Sequence, residues 1–311
     1  MIVYPRHEVL AAFLEFRRRG AVHHDWEAWA GLFTEDAGYV EHALGRFHGR
    51  QEIVDWIVPT MAHFPAMSFW IDWWMIDGNQ VFFYIWNHLP DPAGEGAWHS
   101  FPNGTVIEYA GNGRWSYEED FYNPADSHRV VRRWIEAGGR RETSADESLQ
   151  SVPDWAPQPM PVAFSRREIE AEFSSWLHRG QRAAASGEWG GWAGQFTPDA
   201  RFYDHHYGKF SGRDEIRAWA RETLVPFPGM EFRVERVAIE GNRVATVLES
   251  RLGHPAGGDP FAVRTLVILH YAGSGQWSYE EDIFNPSEMS SMITTWVEAG
   301  GRLPQGVSLR P

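Results

Sequence analysis

The chain has 311 residues, of which 43% are hydrophobic and 23% are charged, and it contains no cysteine. A length above roughly 250 residues favours two domains over a single hydrophobic core. With 28 basic and 42 acidic residues, the formal charge is −14, which repels phosphate backbones and anionic lipid headgroups. The lack of cysteine excludes disulfides, thiolate metal sites and cysteine nucleophiles. We therefore expect a folded protein that binds neither nucleic acid nor membranes.

The first residues carry no basic segment followed by an apolar run, and no apolar run approaches the roughly 20 residues that span a bilayer. These features predict a cytoplasmic protein. The 17 tryptophans favour an aromatic-lined pocket, because indole rings fill concave apolar surfaces and keep one N–H donor. Ordinary core packing is the alternative, to which we assign about two-thirds of them.

Apolar residues at helical spacing predict the helices of the first half of the chain. They are a first helix with Val9, Leu10, Phe13 and Phe16, a short second helix with Trp26, Trp29 and Phe33, and a third helix that begins near Gly49 and Arg50. In the second half, Ser165 and Glu168 form a capping box ahead of the first helix. A closing helix begins after an Asn-Pro pair in each half and ends at Gly138 or Gly300.

The strands begin with one that ends at Glu41, or at Asp204 in the second half. Further strands are predicted at 69–76, 81–88, 105–109 and 115–122, with counterparts at 232–239, 244–251, 262–271 and 277–284. Gly-Asn pairs at 78–79 and 241–242 supply hairpin turns. Helices followed by antiparallel strands predict an α+β layer, in which the sheet wraps a helix and encloses a cavity.

The second half repeats the first. The motif WSYEED at 115–120 recurs unchanged at 277–282, and EAGGR at 136–140 recurs at 298–302. Residues 29–37, with the pattern WAG-x-FT-x-DA, recur at 192–200. Four prolines lie between the copies and favour extended chain. We therefore predict one domain at 1–143, a proline-rich linker at 144–164 and a second domain at 165–311.

This order of elements and the WAG-x-FT-x-DA motif resemble the nuclear transport factor 2-like superfamily, and specifically its SnoaL-like branch. The resemblance covers nearly the whole chain, twice. It implies an α+β fold of two tandem cone-shaped domains, each a curved antiparallel sheet wrapped around helices. That fold hosts ketosteroid isomerases, polyketide cyclases, dehydratases, epoxide hydrolases and noncatalytic binders, so the resemblance leaves the function open.

By the resemblance, Glu41 and Asp204 fall near the general base of the isomerases. A carboxylate at the wall of an apolar pocket has its pKa raised toward the range where a base takes and returns a proton. The alternative is a strand-end carboxylate that caps the following helix or pairs with Arg50 or Arg213. The second acid of the isomerases has no counterpart here, so we do not expect steroid isomerisation by that mechanism.

Asp120 and Asp282 resemble the final-strand aspartate of limonene epoxide hydrolases, which helps to activate water against an epoxide. Glu249 and Arg251 lie two residues apart on a predicted strand and therefore share one of its faces. Together with Asp204 and Asp282 they would line one pocket. A surface ion-pair ladder is the alternative.

Asp204 and His206 also share a face if their strand continues, which suggests an acid–histidine pair. We expect no metal, because adjacent residues point to opposite faces and no third ligand is evident. We also expect no cofactor, because the chain has no phosphate-binding glycine loop.

The two pockets differ. The first half carries an aromatic set, for which we predict a substrate-binding role: Trp70, Trp73, Tyr84, Trp86 and His88. At most of the corresponding positions the second half has charged or smaller side chains. A packed interface is the alternative role of the aromatic set.

The sequence therefore predicts a cofactor-independent acid–base enzyme of the cyclase, isomerase, dehydratase or epoxide hydrolase type, acting on a small apolar metabolite. The rival is a noncatalytic binding or assembly protein, in which aromatic surfaces hold a ligand or bury subunit contacts. Both the enzyme and the binding protein are compatible with a homo-oligomer.

Overall fold

The computed structural model describes residues 2–94, 98–141, 160–224, 227 and 229–303. The chain divides into two compact units, Met1–Gln158 and Pro159–Pro311. Positions 144–159 of the predicted linker lie outside the described residues. In the described ranges, no helix is long and apolar enough to cross a membrane.

The first unit contains four α-helices and six strands within its described residues. The helices are α1 Arg6–Arg17, which continues into a π-helical turn at Arg18–Val22, α2 Trp26–Ala30, α3 Gly49–Ala62 and α4 Pro124–Glu136. The strands are β1 Phe33–Glu41, β2 Gly45–His48, β3 Ser68–Asp77, β4 Gln80–Pro90, β5 Trp98–Gly111 and β6 Arg114–Phe121. They form one sheet in the order β2-β1-β6-β5-β4-β3.

The second unit repeats this arrangement. Its helices are α5 Arg166–Ser186, α6 Gly190–Ala193, α7 Arg213–Thr223 and α8 Pro286–Glu298. Its strands are β7 Phe196–Asp204, β8 Gly208–Ser211, β9 Glu231–Glu240, β10 Arg243–Leu252, β11 Phe261–Gly273 and β12 Gln276–Ile283. The sheet order is β8-β7-β12-β11-β10-β9, so the predicted duplication and α+β class are confirmed.

The sheets differ from the prediction in one pairing. β1 pairs parallel with β6, and β7 pairs parallel with β12, whereas all other pairs are antiparallel. A hairpin forces neighbouring strands to run antiparallel, but β1 and β6 are separated by most of the unit and have no such constraint. The parallel pair brings the ends of these two strands together at the same edge.

Two local predictions are corrected. Phe33, assigned to the short second helix, is instead the first residue of β1, and its counterpart Phe196 is likewise the first residue of β7. The short strands β2 and β8 were not predicted, because four residues carry too little periodicity to be recognised.

Helix caps follow the sequence closely. Asn123 and Asn285 accept hydrogen bonds from Ala125 N (3.0 Å) and Ser287 N (2.9 Å), with proline at the first helical position, as predicted. Only half of the predicted capping box forms at Ser165.

The Ser165 Oγ accepts from Glu168 N (3.2 Å). The Glu168 carboxylate instead accepts a hydrogen bond from the Tyr271 hydroxyl (3.0 Å), which ties α5 to β11.

One face of each sheet packs against the helices. In the first unit, Val81 and Phe83 of β4 pack with Phe13 of α1 and Ile53 of α3. In the second unit, Val244 and Leu248 of β10 pack with helix residues in the same way. Side chains alternate along a strand, so the residues between these positions point to the opposite face, which we name the outer face.

Gly49, at the start of α3, has φ +81°, and a Cβ placed there would lie 2.8 Å from the Glu35 carbonyl oxygen. Gly78 also has positive φ (+60°), but a Cβ there would meet nothing within 4 Å. We predict that Gly78→Ala costs roughly 1–2 kcal/mol of unfolding free energy, the cost of a left-handed L-residue. Gly49→Ala should cost about 1 kcal/mol more because of the added collision. Denaturant unfolding tests this, and equal losses would contradict it.

Candidate functional site

A cavity of about 580 Å³ lies inside the second unit, between the helices and the inner face of the sheet. Its wall is mostly apolar and includes four tryptophans: Trp176, Trp189, Trp192 and Trp219. Three acids from adjacent strands share the same cavity, which we name the acid cluster: Asp204, Glu280 and Asp282.

Sheet geometry brings the acid cluster together. The parallel register of β7 and β12 makes Asp204 and Asp282 direct neighbours at the ends of their strands. Glu280 lies two residues before Asp282, and residues two apart share a strand face. Asp204 and Glu280 are each only 2% exposed. The Trp176 indole N–H donates to Glu280 (3.1 Å).

Asp282 has a different environment from its neighbours. Its carboxyl group lines the cavity, and its Oδ1 is enclosed with no hydrogen-bond partner among the described residues. Burial raises the pKa of Asp282 well above its usual value, and the charges of Asp204 and Glu281 raise it further. Burial also raises the pKa of Glu280 well above its usual range, with a further rise from the charge of Asp282.

Asp204 is the acid best able to ionise. Burial raises its pKa too, but its Oδ1 accepts hydrogen bonds from His206 N (2.7 Å) and Tyr207 N (2.8 Å), which favour the charged form. We infer that Asp204 loses its proton first and that Glu280 and Asp282 keep theirs longest. The cavity therefore places one acid whose charged form is supported beside two acids whose neutral form is favoured by burial.

Neither predicted structural role of the strand-end acids is found. Arg213 Nε donates to the Phe196 carbonyl (2.6 Å) rather than to Asp204, and Arg50 Nε donates to the Phe33 carbonyl (2.7 Å). Both acids instead cap the turn that follows their own strand, as Asp204 does with His206 and Tyr207.

In the first unit, Glu41 accepts from Ala43 N (2.8 Å) and Leu44 N. Burial raises its pKa, and hydrogen bonds from Tyr122 and from these backbone groups partly offset that rise.

The first unit surrounds the same acids with donors. Asp120 accepts from the Tyr39 hydroxyl, from Thr105 Oγ1 (2.5 Å) and from Asn103 Nδ2 (3.0 Å). Tyr39 also contacts Glu118, the counterpart of Glu280, at 3.4 Å.

The second unit replaces each of these donors. Phe202 stands for Tyr39, Val267 for Thr105, Thr265 for Asn103 and Phe284 for Tyr122. Three of the four replacements have no polar side-chain atom, so the acid cluster has lost most of its protein donors.

Glu249 and Arg251 do not line the cavity. They form an ion pair with each other on the outer face of β10, while Leu248 and Ser250 face the cavity. The two residues do share a face, as predicted, but it is the wrong face for a site with Asp204. Side chains alternate between the two faces of a strand, so a shift of one residue along β10 determines whether Glu249 and Arg251 or their neighbours face the cavity.

The aromatic set of the first unit lies on its outer face as well. Trp70 contacts His88 with ring centroids 4.3 Å apart, Trp73 stacks on Tyr84 at 5.9 Å, and Tyr84 meets Trp86 at 5.8 Å. These rings alternate with Val81 and Phe83, which face the helices. They therefore lie on the face opposite the helices, and their substrate-binding role stays a prediction.

The histidines divide between the two faces. His206 lines the cavity and is exposed, and its backbone N–H binds Asp204. His205 contacts Glu281 on the outer face (2.7 Å), as His42 contacts Glu119 (3.0 Å). Within the described ranges, no group of three His, Asp or Glu side chains has a metal-binding arrangement.

Glu280 was missed by sequence reasoning. It belongs to the WSYEED motif, which is identical in the two copies and therefore carries no sign of a difference between them. The usable signal lay in the neighbouring strands, where tyrosine and threonine give way to Phe202 and Val267.

Comparison with known proteins identifies the family. The profile of the SnoaL-like domain matches residues 13–118 and 177–280, which is more than half of the chain. The chain therefore belongs to the SnoaL-like family, with two tandem domains. This membership supports a small-molecule-binding or isomerase-type function. No curated protein matches the chain significantly.

Solved structures similar to this chain match about one unit each. A hypothetical protein with a ketosteroid isomerase-like fold from Catenulispora acidiphila, solved with trimethylamine, is 18% identical, over 39% of this chain and 90% of that chain, with a TM-score of 0.33. An NTF2-like protein from Anabaena variabilis is 16% identical, over 40% and 93%, with a TM-score of 0.34. TerC, co-crystallised with polyporic acid, is 15% identical, over 40% and 98%, with a TM-score of 0.32.

We predict that Asp282→Asn flattens the pH dependence of stability. A carboxyl whose folded pKa is raised stabilises fully below its unfolded pKa of about 3.9, and this contribution is lost as pH rises through the folded value. Each such proton makes the unfolding free energy fall by about 1.4 kcal/mol per pH unit in that window. Asparagine cannot ionise, so the variant should lose that share of the slope. Denaturant unfolding from pH 4 upward measures it.

Asp120→Asn is the matched control in the first unit. Its amide nitrogen cannot accept the hydrogen bonds that Asp120 now receives, so this variant should lose about 1–3 kcal/mol at pH 5. Loss of stability by both variants at every pH would contradict the assignment.

Proposed function

We propose that the cavity of the second unit binds a small, largely apolar molecule and performs acid–base chemistry on it without a cofactor. The main support is the acid cluster in a mostly apolar enclosure, where two backbone N–H groups favour the charged form of Asp204 and burial favours the neutral forms of Glu280 and Asp282. Cyclisation, isomerisation, dehydration and epoxide opening all need one group to take a proton and another to give one.

Asp204 is the base in this proposal. Two backbone N–H groups hold its Oδ1, so the carboxylate has a fixed orientation at the cavity wall. A group positioned in this way loses little orientational freedom when a ligand arrives, and this lowers the barrier to proton transfer.

Asp282 and Glu280 are the proton donors. A neutral carboxylic acid stabilises negative charge as it develops on a ligand oxygen, by hydrogen bonding or by full proton transfer. The apolar wall strengthens such an interaction because it keeps the local dielectric low.

We assign the chemistry to the second unit. In the first unit, Tyr39, Thr105 and Asn103 donate hydrogen bonds to Asp120, and Tyr122 donates one to Glu41, which leaves these two acids less free to act on a ligand. Glu41 and Asp120 are therefore structural in this proposal.

Deuterium exchange tests the chemistry without knowledge of the substrate. 2-Tetralone has acidic C–H groups beside its carbonyl, and NMR follows their exchange in D2O. We predict that the protein accelerates this exchange and that Asp204→Asn lowers the acceleration by about 10²-fold or more, a typical contribution of a general base.

Glu41→Gln is the matched control and should leave the rate unchanged. A loss confined to Glu41→Gln would move the site to the first unit. If 2-tetralone quenches tryptophan fluorescence but exchanges no faster than in buffer, the second unit binds without catalysing.

A further inference from the structure

The ionisable side chains around the cavity of the second unit are mostly acids. Five carboxyl side chains line it, those of the acid cluster together with Glu215 and Glu222 of α7, and the other titratable groups of the described lining are His206 and Tyr207. No lysine or arginine lies among the lining residues that the structure describes. Glu215 and Glu222 are exposed, so they add negative charge where the cavity meets solvent. An anionic ligand would meet repulsion on entry and find no cation inside.

The surroundings of Asp282 have few hydrogen-bond donors, although the indole N–H groups of Trp189 and Trp219 elsewhere in the lining have no acceptor among the described residues. Phe202, Val267 and Phe284 occupy the positions at which the first unit presents Tyr39, Thr105 and Tyr122. The Oδ1 of Asp282 is enclosed and accepts no hydrogen bond among the described residues. A buried acceptor without a donor is costly, so a ligand that brings N–H groups would relieve the cost.

The rest of the wall suits an apolar body. Four indole rings line the cavity, and a volume of about 580 Å³ accommodates a molecule of at least two fused rings. Indole is also the side chain that attracts organic cations most strongly through its π system.

We propose that the ligand of this cavity is an organic cation, with a fused-ring or similar apolar body that carries a protonated amine directed at Asp282 and its neighbours. The proposal rests on the proposed function only in assigning the cavity as the binding site. Within the small, largely apolar molecules of the proposed function, it selects those that carry a positive charge and N–H donors. An ammonium group has N–H donors and no acceptor, and its positive charge favours the ionised form of Asp282, so the bound cation would draw the proton from this acid and complement its carboxyl oxygens.

Three ligands with one bicyclic body test the proposal: 2-aminoindane, 2-indanol and indane-2-carboxylate. Calorimetry on the full chain at pH 7.5 measures each affinity. The amine should bind at least about tenfold more tightly than the alcohol, a conservative value for a hydrogen bond to a charged group, and the carboxylate should bind weakest.

Asp282→Asn should lower the affinity for the amine about tenfold and change that for the alcohol by less than about twofold. Asp199→Asn is the matched control, because Asp199 is exposed and lies outside the cavity lining. It should change neither affinity.

Equal or tighter binding of the alcohol, tightest binding of the carboxylate, or no binding by any of the three would overturn the proposal. So would an equal loss of all affinities in Asp282→Asn. Tight amine binding by a protein that exchanges no deuterium from 2-tetralone would reject the chemistry and leave the ligand class standing. Deuterium exchange from 2-tetralone without preferred binding of the amine would reject the ligand class and leave the proposed chemistry standing.

Discussion

The parallel pairing of β7 with β12 places two strand-end aspartates side by side. The mostly apolar enclosure limits how well water screens the repulsion between their charges. Asp204 and Asp282 cannot both ionise cheaply in that position, and Glu280 adds a third acid on the same face. The protein partly solves the problem at Asp204, where two backbone N–H groups support a negative charge. Burial favours the neutral forms of the remaining acids, and this division would supply the acid and the base of the proposed reaction.

The duplication shows that the same backbone can solve this problem in two ways. The first unit supplies Asp120 and Glu41 with side-chain hydroxyl and amide donors, which makes these two acids part of a structural network. The second unit has replaced three of these donors with Phe202, Val267 and Phe284, and a cavity lies over the acids. Acids buried without donors lower stability, and active sites commonly retain such costs because the chemistry depends on them.

The sequence predicted features that depend on local chemistry or on the repeat. The Asn-Pro helix starts and the Gly-Asn hairpins were correct because each rests on adjacent residues. The face on which Glu249 and Arg251 lie depends instead on which alternate residues of β10 point toward the helices. The two charged residues alone do not indicate this. The same holds for the face of the aromatic set, which begins at Trp70. The sequence did not single out Glu280, because its motif is unchanged between the copies. The replaced residue is on another strand, where Phe202 stands in place of Tyr39.

Infrared spectroscopy distinguishes protonated from ionised carboxyl groups, because the two forms absorb at different frequencies. We predict that Asp282 and Glu280 hold their protons at neutral pH beside an ionised Asp204. Wild-type protein at pH 7 should show absorption from neutral carboxyl groups, and part of it should disappear in the double variant Asp282→Asn, Glu280→Gln. Absence of a neutral carboxyl signal at pH 7, or a signal unchanged in the double variant, would contradict the account.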